Sequence, residues 1–301
     1  MDSLRQRIAD FIRFEPVAVP PAVRIEQRDE QEGYTRTLLR YPVLDGDTVD
    51  AFLLEPRIGG SLGGVLVLHQ HNSQWTIGKS EVAGLTGDPM QAFGPTLARR
   101  GMTVLAPDAL GFESRQRAAP HDTDGWLQFY NHMAHRLVRG DLLIRKMLSD
   151  ASAAIQVLQD ICPRGTPVGV LGHSMGGNVA LFLGALDTRI AFTCISGAAS
   201  SYRQKLAHGV GLDMTLVIPG FATQFDLADL LGCIAPRQAF VVSGHDDWAS
   251  ADANDLVREA RPAFEAADAA EYLTHLHLPG GHALDQQRFD AIVDWVASRA
   301  S

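Results

Sequence analysis

Cysteine is scarce in this chain. There are three in 301 residues, Cys162, Cys194 and Cys233, odd in number and widely spaced. Such a set excludes a disulfide framework and suits a reducing compartment, so a cytoplasmic protein is expected. Long apolar runs are missing too. No stretch of about 18 apolar residues occurs, so no membrane span is expected. The opening "MDSLRQRIADFIRFEP" spreads its charges and lacks the apolar block of a signal peptide. Positive charge is in deficit, with 26 Lys and Arg against 35 Asp and Glu, a formal charge of -9. An acidic protein repels phosphate backbones, which argues against a nucleic-acid partner. Repeats and low-complexity segments are absent. Nothing in the composition marks an oligomer or excludes one.

What is present is an ordinary globular composition, 46% hydrophobic and 20% charged, long enough for one domain with a sizeable core. Leu4, Ile8, Phe11 and Ile12 recur at helical spacing. The alternating segments "VRIEQRDE" and "YTRTLLRYPV" predict an antiparallel hairpin, and "TVDAFLLEP" a third strand. The texture then changes. "GGVLVLHQ", "MTVLAPD", "PVGVLGHS", "RIAFTCIS" and "RQAFVVSG" are continuous apolar runs, as in strands buried on both faces. Helical patterns separate them, one predicted as continuous over 137–160. "EYLTHLHLPGG" and a final helical segment follow. Alternation of this kind predicts an α/β domain over 1–301, with a mostly parallel sheet flanked by helices. The helix and hairpin within 1–56 place antiparallel strands at one edge. Two excursions break the pattern, 109–136 and 198–236. Long excursions in a compact domain are usually functional loops, and 198–236 is expected to form a small lid.

Gly172-His173-Ser174-Met175-Gly176 fits G-x-S-x-G. It follows a predicted buried strand and opens a predicted helix, which is the context the motif needs. A serine on that sharp turn aims its hydroxyl out of the sheet's carboxyl end, and flanking glycines avoid clashes. The helix N-terminus and the Met175 N–H would face an oxyanion. A serine hydroxyl needs a base. His282 in "LPGGHALD" lies on a loop after the last strand, whereas His275 and His277 alternate within that strand. The acid should follow "AFVVSG", where Asp246 and Asp247 stand side by side. The order Ser174, Asp, His282 is then complete, each at a strand's carboxyl end, where ligands bind in open α/β sheets.

These residues resemble the α/β-hydrolase superfamily, and within it the dienelactone-hydrolase-like and bacterial acetyl-xylan-esterase-like branch. The resemblance is carried by Leu66 to Asp88, Leu97 to Arg115, "GHSMGGN", "SGHDD" and "GGH", from about residue 60 to the end. It implies an α/β-hydrolase fold and a carboxylic-ester hydrolase. It selects Asp247 as the triad acid. It also implies that the backbone N–H of His71, with Asn72 as neighbour, partners that of Met175 in an oxyanion hole. Two departures stand out. Dienelactone hydrolases proper carry cysteine where this chain has Ser174, and Gln70 replaces the usual glycine.

The remaining motifs predict less chemistry. "HMAH" places His132 and His135 on one helix face but lacks a glutamate at zinc spacing, so no metal is expected. His69 is expected to pack beneath the oxyanion loop, and Glu113 and Arg115 to pair at its mouth. Trp75, Trp126, Tyr202 and Trp248 are expected to line a site for a small apolar or aromatic substrate. No cofactor is implied. The same triad could serve a carbon–carbon bond hydrolase, lyase or cyclisation catalyst. It could also sit unused in a ligand-binding protein.

Overall fold

The computed structural model describes residues 2–57, 60–116 and 125–300. Strands β1 (Arg24–Glu30), β2 (Tyr34–Pro42) and β3 (Thr48–Pro56) open the chain after helix α1 (Asp2–Ile12). They are followed by β4 (Gly63–Leu68), β5 (Met102–Pro107), β6 (Val168–His173), β7 (Phe192–Ser196), β8 (Gln238–Gly244) and β9 (Leu273–Leu278). All nine share one sheet, in the order β1-β2-β3-β5-β4-β6-β7-β8-β9. β1 through β3 pair antiparallel, as does β3 with β5. From β5 to β9 every pairing is parallel. β1 is the exposed edge, and its charged side chains discourage pairing with another sheet.

The apolar runs alternate between two cores. Leu66, Val170 and Ile195 face one side, against α1, α5 (Leu143–Ile161), α6 (Met175–Leu186), α8 (Leu227–Cys233) and α9 (Ala253–Glu265). Val65, Val67, Leu171 and Cys194 face the other, against α2 (Lys79–Val82), α3 (Phe93–Arg99) and α10 (Gln286–Ala297). Burial on both faces is why these strands read as unbroken apolar stretches. The three cysteines are free and buried. No helix among the described residues is long and apolar enough to cross a membrane.

One expectation needs correction. The helix predicted over 137–160 is split, with α4 (Gly125–Val138) ending before α5 begins. Gly140 takes φ +72° there, and the Asp141 N–H donates to Arg136 O at 2.8 Å. A left-handed glycine just past a helix end closes it in this way. The segment 198–236, where a small lid is expected, contains two short helices and a buried aromatic between them. Its helices α7 (Tyr202–Ala207) and α8 carry Tyr202, Leu230 and Leu231, all buried, and Phe221 between them is buried as well. Phe221 and Phe225 take the Phe11 ring edge-on at 5.8 and 5.7 Å. Its exposed residues fall mainly in two stretches, 203–211 and 219–224.

Candidate active site

The turn between β6 and α6 holds Ser174 at φ 57°, ψ −121°, outside both strand and helix regions. Such a backbone costs of order 1–3 kcal/mol and persists only where the surroundings hold it. Here the Ser174 N–H donates to Ser196 O at 2.9 Å, and Ser174 O accepts from the Asn178 N–H at 3.0 Å. The flanking glycines are required by space. A Cβ on Gly172 would lie 2.1 Å from Gly176 O, and one on Gly176 would lie 2.2 Å from Leu68 O.

His282, on the loop between β9 and α10, places Nε2 2.8 Å from Ser174 Oγ. Its Nδ1 lies 2.9 Å from Asp247 Oδ1. Asp247 follows β8 and is buried, whereas Asp246 is exposed. Asp247 Oδ1 also accepts the Ala249 N–H at 2.9 Å, and Oδ2 accepts the Ser250 hydroxyl at 2.7 Å. Burial alone would raise this carboxyl. The hydrogen bonds from His282, Ser250 and Ala249 outweigh it, and the pKa lies below the usual carboxylate value. An ionised Asp247 fixes the proton of His282 on Nδ1 and leaves Nε2 to accept from Ser174. The Trp248 ring lies 5.8 Å from that of His282. On the other side His173, fully buried, bonds Ser196 Oγ at 3.0 Å. Burial, then the charge of His282, pushes its pKa down to about 3.

Met175 is the first residue of α6, so its N–H has no preceding helical turn to bond. His71 lies on the loop after β4. His69 Nε2 accepts the Ala109 N–H at 3.0 Å, and its Nδ1 therefore donates to Gln70 O at 2.8 Å. The Gln70 side chain donates to the buried Glu81 at 3.0 Å, which accounts for a long residue where glycine is usual. His71 stacks edge-on with Trp75, ring centres 4.3 Å apart. Asn72 follows at φ 39° and is exposed.

Of the four aromatics expected around a substrate, two are buried and two are half exposed. Trp75 is buried among Phe112, Phe129 and His71. Tyr202 is buried with its hydroxyl on Leu216 O at 2.8 Å. Trp126 and Trp248 are half exposed, Trp126 stacked on Tyr130 at 5.3 Å. Glu113 and Arg115 do not pair with each other. Glu113 meets the buried Lys79 ammonium at 2.5 Å, and Arg115 meets Asp150 at 2.8 Å and also Asp47. Lys79 further bonds Asp108 at 2.8 Å. Burial lowers the Lys79 pKa, but the two carboxylates more than offset it and the ammonium is retained. This cluster was not foreseen from sequence. It ties the 69–80 loop to the 108–115 loop through the N–H groups of Gly78, Lys79 and Ser80. Among the described residues no three His, Cys, Asp or Glu converge as for a metal ion.

No protein-family model matches the chain. The YtaP protein of Bacillus subtilis (strain 168), named provisionally as a hydrolase, is 28% identical over 278 residues, 89% of this chain and 87% of that one. A provisionally named acetyl xylan esterase from Bacteroides fragilis superposes with TM-score 0.78 at 16% identity, over 99% of this chain and 86% of its own. The methylesterase BT1017 superposes with TM-score 0.73 at 20% identity over 99% of this chain, which spans 62% of that protein. With its parallel β5-to-β9 sheet, antiparallel N-terminal strands and strained serine turn, this chain has the α/β-hydrolase fold.

Proposed function

We propose that the protein is a serine hydrolase that cleaves a carboxylic ester or lactone through an acyl-enzyme on Ser174. The observation that carries this reading is the unbroken series Ser174 Oγ, His282, Asp247, at 2.8 and 2.9 Å. It sits at the carboxyl ends of β6, β9 and β8. His282 Nε2 takes the hydroxyl proton as Oγ attacks the carbonyl carbon. The negative charge on the former carbonyl oxygen is met by the N–H groups of Met175 and His71. The tetrahedral centre collapses, and the leaving alkoxide takes the proton back from His282. Water, deprotonated by the same nitrogen, then attacks the acyl carbon; the bond to Ser174 Oγ breaks, Oγ takes the proton back from His282, and the acid is released.

Likeness to an acetyl xylan esterase and a methylesterase supports ester cleavage as the reaction class. The exposed ring of Trp248, 5.8 Å from that of His282, offers flat apolar surface for a small substrate with an apolar or aromatic part. Protein groups and water complete the chemistry, so no cofactor is proposed. Three unpaired cysteines support a cytoplasmic setting. Turnover of a short p-nitrophenyl ester tests the reading. It should be steady in the wild type and lost in Ser174→Ala. Equal rates in the two proteins would refute it.

A further inference from the structure

Arg288 stands in the first turn of α10 with its side chain 3% exposed. Its guanidinium turns back over the loop that carries His282. Nη1 donates to Gly281 O at 2.8 Å, and Nη2 donates to Ala283 O. Nε donates to Asp285 Oδ2 at 3.1 Å, while the other oxygen of Asp285 caps α10 by accepting the Arg288 N–H at 2.8 Å. Gly281 and Ala283 are the residues on either side of His282. One planar cation therefore holds the carbonyls flanking the base, in a fork that a lysine could not reproduce.

The guanidinium also meets the loop of the acid. A Cβ on Gly244, the last residue of β8, would lie 3.1 Å from Nη1 and 2.3 Å from Gly280 O. The Asp246 N–H donates to Gly280 O at 3.0 Å. Arg288 thus lies where the Asp247 loop and the His282 loop touch, and α10 supplies the fixed element behind both.

We propose that Arg288 is a positioning residue for the triad base. By fixing the peptides before and after His282, it sets the imidazole at hydrogen-bond distance from Ser174 and Asp247 together. The proposal rests on the triad reading above. Arg288 reaches no reacting atom, so its removal should act on kcat and leave substrate affinity nearly unchanged. Misplacement of a catalytic group by about 1 Å costs on the order of 10²-fold.

The test compares wild type with Arg288→Ala, Arg288→Gln and Arg288→Lys on one p-nitrophenyl ester, with kcat referred to active sites titrated by an organophosphonate. The far-downfield proton resonance of the His282–Asp247 hydrogen bond is recorded alongside. Arg288→Ala should lose roughly 10- to 100-fold in kcat with KM within about threefold. Arg288→Lys, which reaches one carbonyl at most, should lose less. The downfield resonance should shift or broaden in each. Millimolar guanidinium should restore part of the kcat of Arg288→Ala, and methylammonium should not. If Arg288→Ala does not fold, the lysine and glutamine variants decide the matter. Folded variants with wild-type kcat per titrated site and an unmoved resonance would overturn the proposal, even if their melting temperature falls. A wild-type enzyme that titrates at no site would instead remove the triad reading, and that is read before any variant.

Discussion

Asp247 and His282 are joined by a 2.9 Å hydrogen bond, while Asp246, one residue earlier, has its side chain in solvent. Two adjacent carboxylates on a short loop cannot both face the same imidazole. The difference is settled by what else each one does. Asp247 receives the Ala249 N–H and the Ser250 hydroxyl, a local cap that turns its carboxylate inward. Asp246 is tied to the His282 loop only through its backbone, its N–H donating to Gly280 O, while its side chain stays exposed.

Asp247→Asn should therefore be the crippled variant. The amide keeps the shape but favours the wrong imidazole tautomer, and the loss in kcat should approach about 10⁴-fold, the cost in the serine-protease example from which the rule is drawn. Asp246→Asn removes an exposed charge and should cost less than about 10-fold. The kcat of both variants on one activated ester checks this, and the reverse ranking would contradict it.

The proposed oxyanion donor at Met175 is testable by removing its N–H. Proline suits the first position of a helix and has no N–H to give. Met175→Pro should lose roughly 10²- to 10³-fold in kcat, the scale of one oxyanion donor, with KM little changed. A folded Met175→Pro with near-normal kcat would place the oxyanion elsewhere.

His173 makes a prediction for stability against pH. Its folded pKa of about 3 lies far below the ordinary histidine value, because burial and then His282 disfavour the charged form. Between those two values the unfolded chain binds a proton that the folded one does not, so stability falls as pH falls. One such group contributes about 2 kcal/mol of loss between pH 7 and pH 5. His275, pushed down to about 4, adds a loss of the same sign, so the comparison must be with a variant. Urea unfolding of His173→Asn should show a pH 7 to pH 5 difference smaller than wild type by about that amount. Identical differences would contradict a buried neutral His173.

Much of this architecture is written in short-range patterns. The apolar runs of β4, β5 and β6 mark themselves as two-sided strands, and G-x-S-x-G between a strand and a helix marks the serine turn. The histidine that meets Ser174 was legible because His282 follows two glycines after the last strand, while His275 and His277 stay inside it. What was not legible depends on contacts between distant segments. Lys79 and Asp108 are 29 residues apart, and only the folded loops bring them to 2.8 Å. Glu113 and Arg115, close in sequence, each have a better partner elsewhere. Tyr202 and Trp75 are aromatic and sit on predicted loops, yet tertiary packing buries both. The break at Gly140 was hidden because periodicity continues across it. The Arg288 clamp joins a helix to backbone carbonyls, which leave no residue-type signal.

The account stands most directly on the nucleophile. Treating the native protein with an organophosphonate and mapping the adduct by mass should find one phosphonyl group per chain, on Ser174. The adduct should be absent in Ser174→Ala, and its rate of formation should fall in Asp247→Asn. An adduct on another serine, or none while the protein turns over an ester, would contradict the account.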